Sequence, residues 1–191
     1  MSVFEFVLAL TSVISGLALA HMLTGVVGLL RNAQRVRFSL VHALWMWSAF
    51  STTIGNWAAD WSLRTVTEWP AWMLLLIIAS KIAQYVFCVF VTPDLPTEGK
   101  IDLVAFHASE RRGYFGAVFA FTAVALVFNI AFGAAEAYAH WLRDSAITLI
   151  AIAVTLLAFF VRAYWAQLLA AAVFAALGSY FLLAAASLGA A

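Results

Sequence analysis

Residues 70–91, PAWMLLLIIASKIAQYVFCVFV, decide the fold of this chain because they form a long apolar run with a single charged side chain, Lys81. A helix needs about 20 apolar residues to cross the hydrocarbon core of a bilayer. Backbone N–H and C=O groups meet no water in that core, so a crossing segment must satisfy them internally, as a helix does. The run therefore predicts a transmembrane helix that carries one lysine near its midpoint.

The rest of the chain has the same character. Of its 191 residues, 66% are hydrophobic and 10% are charged, whereas ordinary soluble domains are about 25% charged. Six stretches are apolar enough to span: 3–30, 40–61, 70–91, 114–138, 147–161 and 166–188. We therefore expect an all-α membrane bundle of six transmembrane helices in a single domain over residues 1–191. Five spans are the alternative, because the last two stretches are so close that they also fit one bent or re-entrant element.

Lysine and arginine are divided unequally between the two sets of connections. The first, third and fifth connections hold seven of them: Arg31, Arg35, Arg37, Lys100, Arg111, Arg112 and Arg162. The other side has only Arg64 and Arg143. Positive residues are retained on the cytoplasmic side, so both termini should be extracytoplasmic and the connection 92–113 should be a cytoplasmic loop. The overall pattern is typical of a multi-pass protein of a bacterial inner (plasma) membrane.

The loop 92–113 contains a possible helix of its own. Pro93 and Pro96 end the third span, because proline removes a backbone donor. Residues 100–112 then fit either a short amphipathic helix on the membrane surface or a plain turn into the fourth span.

Polar side chains recur on one face of several predicted spans. In the second span Thr53, Asn56 and Asp60 follow one another at spacings of three and four, which place them on the same side of a helix. Polar side chains within a bilayer are costly and normally face protein or water. The residues that we expect to line such a polar interior, and an ion or solute pathway through it, are Lys81, Gln84, Tyr85, Asn129, Thr53, Asn56, Asp60, Glu136, His21 and His42.

Lys81 is the most costly of these groups. By helix rise it lies about 15 Å from either end of its span, and an unpartnered charge there costs about 2.5–3.5 kcal/mol. Three explanations fit: a buried partner, which is a carboxylate or Asn129; a role in binding an ion, a proton or a substrate; or a shifted span that brings Lys81 closer to water. By depth, Asp60 and Glu136 are expected in the outer half, with His21 and His42 in the inner half. Such an order of titratable groups would suit a proton relay.

The first span has small residues at every fourth position: Ser12, Gly16, Ala20, Thr24 and Gly28. Small residues at this spacing allow two membrane helices to approach closely. We expect this surface to help assemble a homo-oligomer. The arginines that follow it, Arg31, Arg35 and Arg37, are expected to meet anionic lipid. A net charge of +1 gives no reason to expect nucleic acid as a partner.

Cofactor and catalytic chemistry have weaker support. Haem is the main cofactor alternative, with His21 and His42 as axial ligands. Glu136 and His140 supply only half of a metal site, since zinc needs three or four protein ligands, and we expect no metal. The lone cysteine, Cys88, falls within a span, and no nucleophile with its base is recognisable. An enzyme is therefore not the favoured class.

Three functional hypotheses follow from these residues. The first is a small channel or transporter for an ion or small solute, proton-linked and centred on Lys81. The second is a non-transporting membrane scaffold or accessory subunit, in which the polar groups only hold helices together. The third is a membrane redox protein that carries haem.

Overall fold

The computed structural model describes residues 2–66, 68–133 and 138–187, and their side chains except those of 62, 65, 132, 133, 138–144 and 184–187. Its α-helices are α1 (Val3–Arg31), α2 (Leu40–Ala59), α3 (Ala71–Val91), α4 (Leu103–Gly133), α5 (Tyr138–Phe160) and α6 (Tyr164–Ser187). Two 3₁₀ turns, Ala33–Arg35 and Asp60–Thr65, and two short strands, β1 (Val36–Arg37) and β2 (Ile101–Asp102), complete the described elements. The predicted all-α bundle is confirmed.

Four of these helices are long and apolar enough to cross a membrane: Val3–Arg31, Ala71–Val91, Leu103–Ala131 and Tyr164–Leu183. The chain is therefore a membrane-embedded helical protein. At 20 residues α2 is long enough, but its serine, threonine, asparagine and histidine side chains lower its hydropathy. The apolar segment found in α5, Ser145–Phe160, is shorter than the other four.

Helix α4 begins well before the predicted start of the fourth span. Its first residue is Leu103 rather than Tyr114, and the segment that fitted an amphipathic helix forms its first turns. Asp102 accounts for this start: its Oδ1 accepts the backbone N–H groups of Val104 and Ala105 at 2.9 and 3.0 Å. A carboxylate in this position satisfies donors that the first turn of a helix leaves free.

The connections after α1, α3 and α5 meet at one end of the bundle. Strands β1 and β2 pair in parallel, Val36 with Ile101 and Arg37 with Asp102. On α4, His107 lies 3.1 Å from the Gln167 side chain of α6. The seven positive residues of the odd-numbered connections thus belong to one end, which we call the basic end: Arg31, Arg35, Arg37, Lys100, Arg111, Arg112 and Arg162.

The core is organised around Trp45 of α2, which is fully buried. Its ring contacts Phe87 of α3, Tyr114 and Phe115 of α4, and Phe174 of α6, with centroid distances of 4.9 to 6.2 Å. Aromatic pairs at such distances add to the gain from burying their surface. One side chain therefore ties four helices together.

Helices α2 and α6 approach each other closely at Gly55. A Cβ atom added there would lie 2.9 Å from Phe181 Cβ and 3.2 Å from the Phe181 carbonyl carbon. Nearby, Trp47 Nε1 donates a hydrogen bond to Ser179 Oγ at 2.9 Å. Only a residue without a side chain fits at position 55.

Candidate functional site

Lys81 lies at the centre of α3 and forms a buried ion pair. Its side chain is 3% exposed, and its Nζ lies 2.9 Å from Asp60 Oδ2. The same Nζ donates a hydrogen bond to the Asn56 carbonyl oxygen at 3.1 Å. Of the partners considered from the sequence, a carboxylate or Asn129, the structure pairs the lysine with the carboxylate of Asp60.

The end of α2 explains how Asp60 and the Asn56 carbonyl reach Lys81. The helix stops at Ala59, and the backbone N–H of Asp60 turns to the carbonyls of Ala58 and Trp57. The carbonyl of Asn56 is therefore one of those that a helix end leaves without an intrahelical partner. The chain then tightens into the 3₁₀ turn, which holds Asp60 beside the middle of α3.

This ion pair lines a cavity of about 560 Å³, which we call the central cavity. Small-molecule sites commonly occupy 300–1,000 Å³, with mostly apolar walls and a few placed polar groups. The polar residues of the wall are Thr52, Asn56, Asp60, Ser80, Lys81, Thr122, Asn129 and Thr148. Aromatic rings of Phe121, Phe128, Phe174 and Phe181 form much of the remainder. The composition suits a solute with an apolar body and one polar or charged group.

Two amides complete the polar side of the central cavity. Asn129 Nδ2 donates to Thr148 Oγ1 at 3.3 Å and so links α4 to α5. Asn56 Nδ2 is buried and has no hydrogen-bond partner in the described part of the chain. A buried donor without a partner is costly, so Asn56 offers a free N–H group beside the ion pair.

Four residues that the sequence analysis selected for the pathway thus lie together: Lys81, Asp60, Asn56 and Asn129. Two others lie in a separate cluster between α2 and α3. There Gln84 Nε2 donates to Thr53 Oγ1 at 3.0 Å, and Cys88 Sγ lies 3.3 Å from the same hydroxyl. The Thr53 hydroxyl in turn donates to the Ala49 carbonyl at 2.6 Å. Gln84 Nε2 also donates to Thr52 Oγ1 of the cavity wall at 3.3 Å. These contacts hold the two helices together, and neither Gln84 nor Thr53 lines the central cavity itself.

Tyr85 and the two membrane histidines also lie away from the central cavity. Tyr85 is partly buried against the apolar core. His42 is fully buried near the start of α2, with its ring 5.2 Å from that of Phe106. His21 is half-buried on α1. Among the described residues no hydrogen bond or ring contact joins His21 to His42, and the haem hypothesis stays a prediction that a Soret band would test.

The depth order expected for a relay stays a prediction, to which the structure adds that Asp60 contacts Lys81 directly. Glu136 lies outside the described residues, as does the side chain of His140.

The small-residue surface of α1 faces mostly away from the bundle. Gly16, Ala20 and Thr24 are exposed, and a Cβ added at Gly16 would meet nothing within 4 Å. Ser12 accepts a hydrogen bond from Trp57 Nε1 at 2.8 Å, and Gly28 lies close to the Leu95 side chain. The face that α1 buries holds other residues: Val7, Thr11, Ser15, Ala18, Met22 and Gly25.

The aromatic wall of the central cavity was not selected from the sequence. Phe174, Tyr180 and Phe181 come from α6, a helix so uniformly apolar that no face of it stands out. Thr122 and Thr148 carried a weak signal as polar residues in apolar spans. For Ser80 the only indication in the sequence was its position next to Lys81.

Comparison of the chain with protein-family models, curated proteins and solved structures finds no match in any of the three. The functional interpretation therefore depends on the chemistry of the central cavity. That cavity combines a buried ion pair, an apolar wall and an Asn56 Nδ2 that has no hydrogen-bond partner among the described residues. This combination suits binding of a small molecule.

Proposed function

We propose that this protein is a membrane transporter or channel for a small solute or ion, and that the central cavity is its binding site. The observation that carries the proposal is the Lys81–Asp60 pair at the midpoint of α3, on the wall of a cavity of about 560 Å³. Charged groups in membrane segments commonly mark ion and substrate pathways. A pair that only joined helices would need no cavity beside it.

Proton linkage follows from the chemistry of the pair. A proton taken up by the Asp60 carboxylate would neutralise it and end its attraction for the Lys81 ammonium. The ammonium, still held by the Asn56 carbonyl, would then be available to an anionic or polar group of the solute. Loss of the proton would restore the pair and displace the solute, so that proton and solute movements are coupled.

We also propose the membrane arrangement that this function requires. Six spans would place the basic end in the cytoplasm and both termini outside, in the plasma membrane of a bacterium, in accordance with the positive-inside rule. A bundle of six helices with short loops is small for a complete pathway. The exposed Gly16, Ala20 and Thr24 surface of α1 is suited to contact between copies in a homo-oligomer.

The proposal is tested by proton flux into proteoliposomes under an imposed potential, reported by an enclosed pH-sensitive dye. We expect flux from the wild type and none from the double variant Lys81→Met/Asp60→Leu. The double variant is preferred to a single one because removing one partner leaves an uncompensated buried charge, which itself destabilises the fold. The control is Lys100→Met, which removes an exposed lysine outside the central cavity and should keep full flux.

Equal flux from the wild type and the double variant would contradict the role of the pair. Wild-type protein that is folded and inserted, yet gives no more flux than empty liposomes, would contradict proton conduction altogether. The scaffold hypothesis would then take first place.

The scaffold hypothesis has a specific observation in its favour. Lys81 has two partners, and the Thr53, Gln84 and Cys88 cluster joins α2 to α3 without lining the cavity. On this hypothesis the polar groups hold the bundle together, each hydrogen bond contributing about 1 kcal/mol. It predicts that Gln84→Leu lowers stability, whereas neither Gln84→Leu nor the double variant changes any flux.

A further inference from the structure

A second cavity, of about 310 Å³, lies at the basic end between the start of α4 and the break between α5 and α6. It is lined by His107, Ser109, Arg111, Arg112, Arg162 and Gln167. We call it the arginine pocket. Three guanidinium groups share this one cavity, and the central cavity described above takes no part in it.

The arginines of this pocket differ from others of the basic end. Arg37 is paired with Asp102 at 2.9 Å, and Arg35 donates to the carbonyls of Gly99 and Pro96 at 2.7 and 3.2 Å. Arg112 and Arg162 are exposed. In the described part of the chain no carboxylate lies within ion-pair distance of either of them. Among the described residues, their charges therefore have no counter-charge within ion-pair distance.

Arg111 is held in place without being neutralised. It is 6% exposed, and its Nη1 donates to the carbonyl oxygens of Ala158 and Phe159 at 2.9 and 3.3 Å. These carbonyls end α5, and they carry only partial negative charge. The guanidinium is thus fixed at the pocket while its full charge remains.

Beside the partly negative carbonyls that end α5, the backbone also contributes positive potential. Helix α6 begins at Tyr164, two residues after Arg162, and the start of a helix carries partial positive charge. Like charges gathered in one cavity repel each other, and a bound anion relieves that repulsion. The planar guanidinium fork matches the oxygen atoms of a phosphate group particularly well.

We propose that the arginine pocket binds a phosphate group, held by Arg112 and Arg162 with Arg111 behind them. The phosphate could belong to the headgroup of an anionic lipid or to a soluble phosphate. The lipid source is favoured by Tyr164 and Trp165, which are 66% and 63% exposed beside the pocket. Exposed tyrosine and tryptophan are enriched at the headgroup level of a bilayer.

The test measures thermal unfolding of the purified protein in nanodiscs. One arm compares phosphatidylglycerol with phosphatidylcholine, and the other adds inorganic phosphate to phosphatidylcholine discs. The variant Arg112→Gln/Arg162→Gln removes the two exposed guanidinium groups and spares Arg111, which holds the end of α5. The matched control, Arg64→Gln/Lys100→Gln, removes two exposed positive charges that lie outside the pocket.

We expect phosphatidylglycerol to raise the unfolding temperature of the wild type and of the control. In the double variant the midpoint of a phosphatidylglycerol titration should rise about 25-fold, from about fivefold for each of the two arginines. A rise in unfolding temperature with inorganic phosphate alone, lost in the double variant, would support the same site with a soluble ligand.

Two results would overturn the proposal: no effect of either anion on the wild type, or an equal loss in the double variant and the control. Native mass spectrometry of retained lipid gives a second measurement if the double variant unfolds too early to titrate. Bound phosphatidylglycerol that survives both substitutions would also overturn it. None of these measurements depends on flux, so the result is separate from that of the proposed function.

Discussion

Two ion pairs of this protein have the same length and very different surroundings. Lys81 and Asp60 lie 2.9 Å apart with side chains 3% and 12% exposed. Arg37 and Asp102 also lie 2.9 Å apart, but their side chains are 67% and 33% exposed. The first pair is enclosed by helices, whereas the second lies at the basic end in contact with water. Distance alone therefore says little about what an ion pair does.

Burial changes the meaning of the interaction. Two charges in an apolar interior lose their hydration, and their attraction only offsets that loss while both remain. An exposed pair keeps much of its hydration, and dissolved salt screens it. The central pair should accordingly be hard to break singly and easy to replace as a unit. The peripheral pair should respond weakly to substitution and noticeably to salt.

The largest expected effect comes from breaking the central pair on one side. Lys81→Met or Asp60→Leu alone should lower the free energy of unfolding by about 3–5 kcal/mol, since each leaves one buried charge without its partner. The double variant should lie within about 1 kcal/mol of the wild type. Reversible unfolding in mixed detergent and SDS micelles measures the free energy of unfolding of the wild type, the two single variants and the double variant. Additive single effects would show that the two residues do not act as a pair.

A medium effect is expected at the contact of α2 with α6, which closes one side of the central cavity. Gly55→Ala places a Cβ atom 2.9 Å from Phe181 Cβ, so the helices must separate, at a cost of about 1–3 kcal/mol. The matched control is Gly116→Ala on α4, where nothing lies within 4 Å of an added Cβ atom. It should be neutral or slightly stabilising, because alanine favours helix more than glycine does. The same unfolding assay compares the two variants. Equal losses in the free energy of unfolding would contradict the close approach of α2 and α6 at Gly55.

The smallest effect is expected at the basic end and depends on pH. The backbone N–H of Ala105 is the main cause of a lowered pKa for Asp102, and the Arg37 guanidinium adds to it. Since the pKa in the folded protein is below the ordinary 3.8, the stabilisation is complete above that pH. It is lost as the pH falls through the lowered value.

Asp102→Ala tests this by thermal unfolding over roughly pH 3 to 7, which brackets the ordinary carboxyl pKa. The unfolding temperature of Asp102→Ala should be lower than that of the wild type by a small and constant amount near neutral pH. This difference should shrink at the acid end of the range. A deficit that grows on acidification would contradict the sign of the shift.

The chain's membrane character was predictable from the sequence because it depends on composition and run length. Residues 70–91 do form a helix with one lysine at its centre, and the odd-numbered connections do share one end. Boundaries were less predictable: α4 starts at Leu103 because the Asp102 side chain caps it, a contact that hydropathy does not register.

The individual residues of the candidate site were predictable from the sequence, but which of them lie together was less predictable. Lys81, Asp60, Asn56 and Asn129 stood out as polar groups in apolar segments, and they do share a cavity. Thr53 and Gln84 stood out for the same reason but bond to each other. Helical spacing places residues on one face of a helix, and it does not say which other helix that face meets.

The sequence by itself determined that this chain lies in a membrane, that its helices hide a few costly polar groups, and that its positive charges gather at one end. These properties follow from transfer of each segment from water to lipid, which depends on local composition. The tertiary structure alone decided that Asp60 is the partner of Lys81, that α6 closes against Gly55, and that a cavity remains beside the pair. These outcomes depend on the packing of helices distant in sequence, where the fit of side chains sets how each helix is rotated.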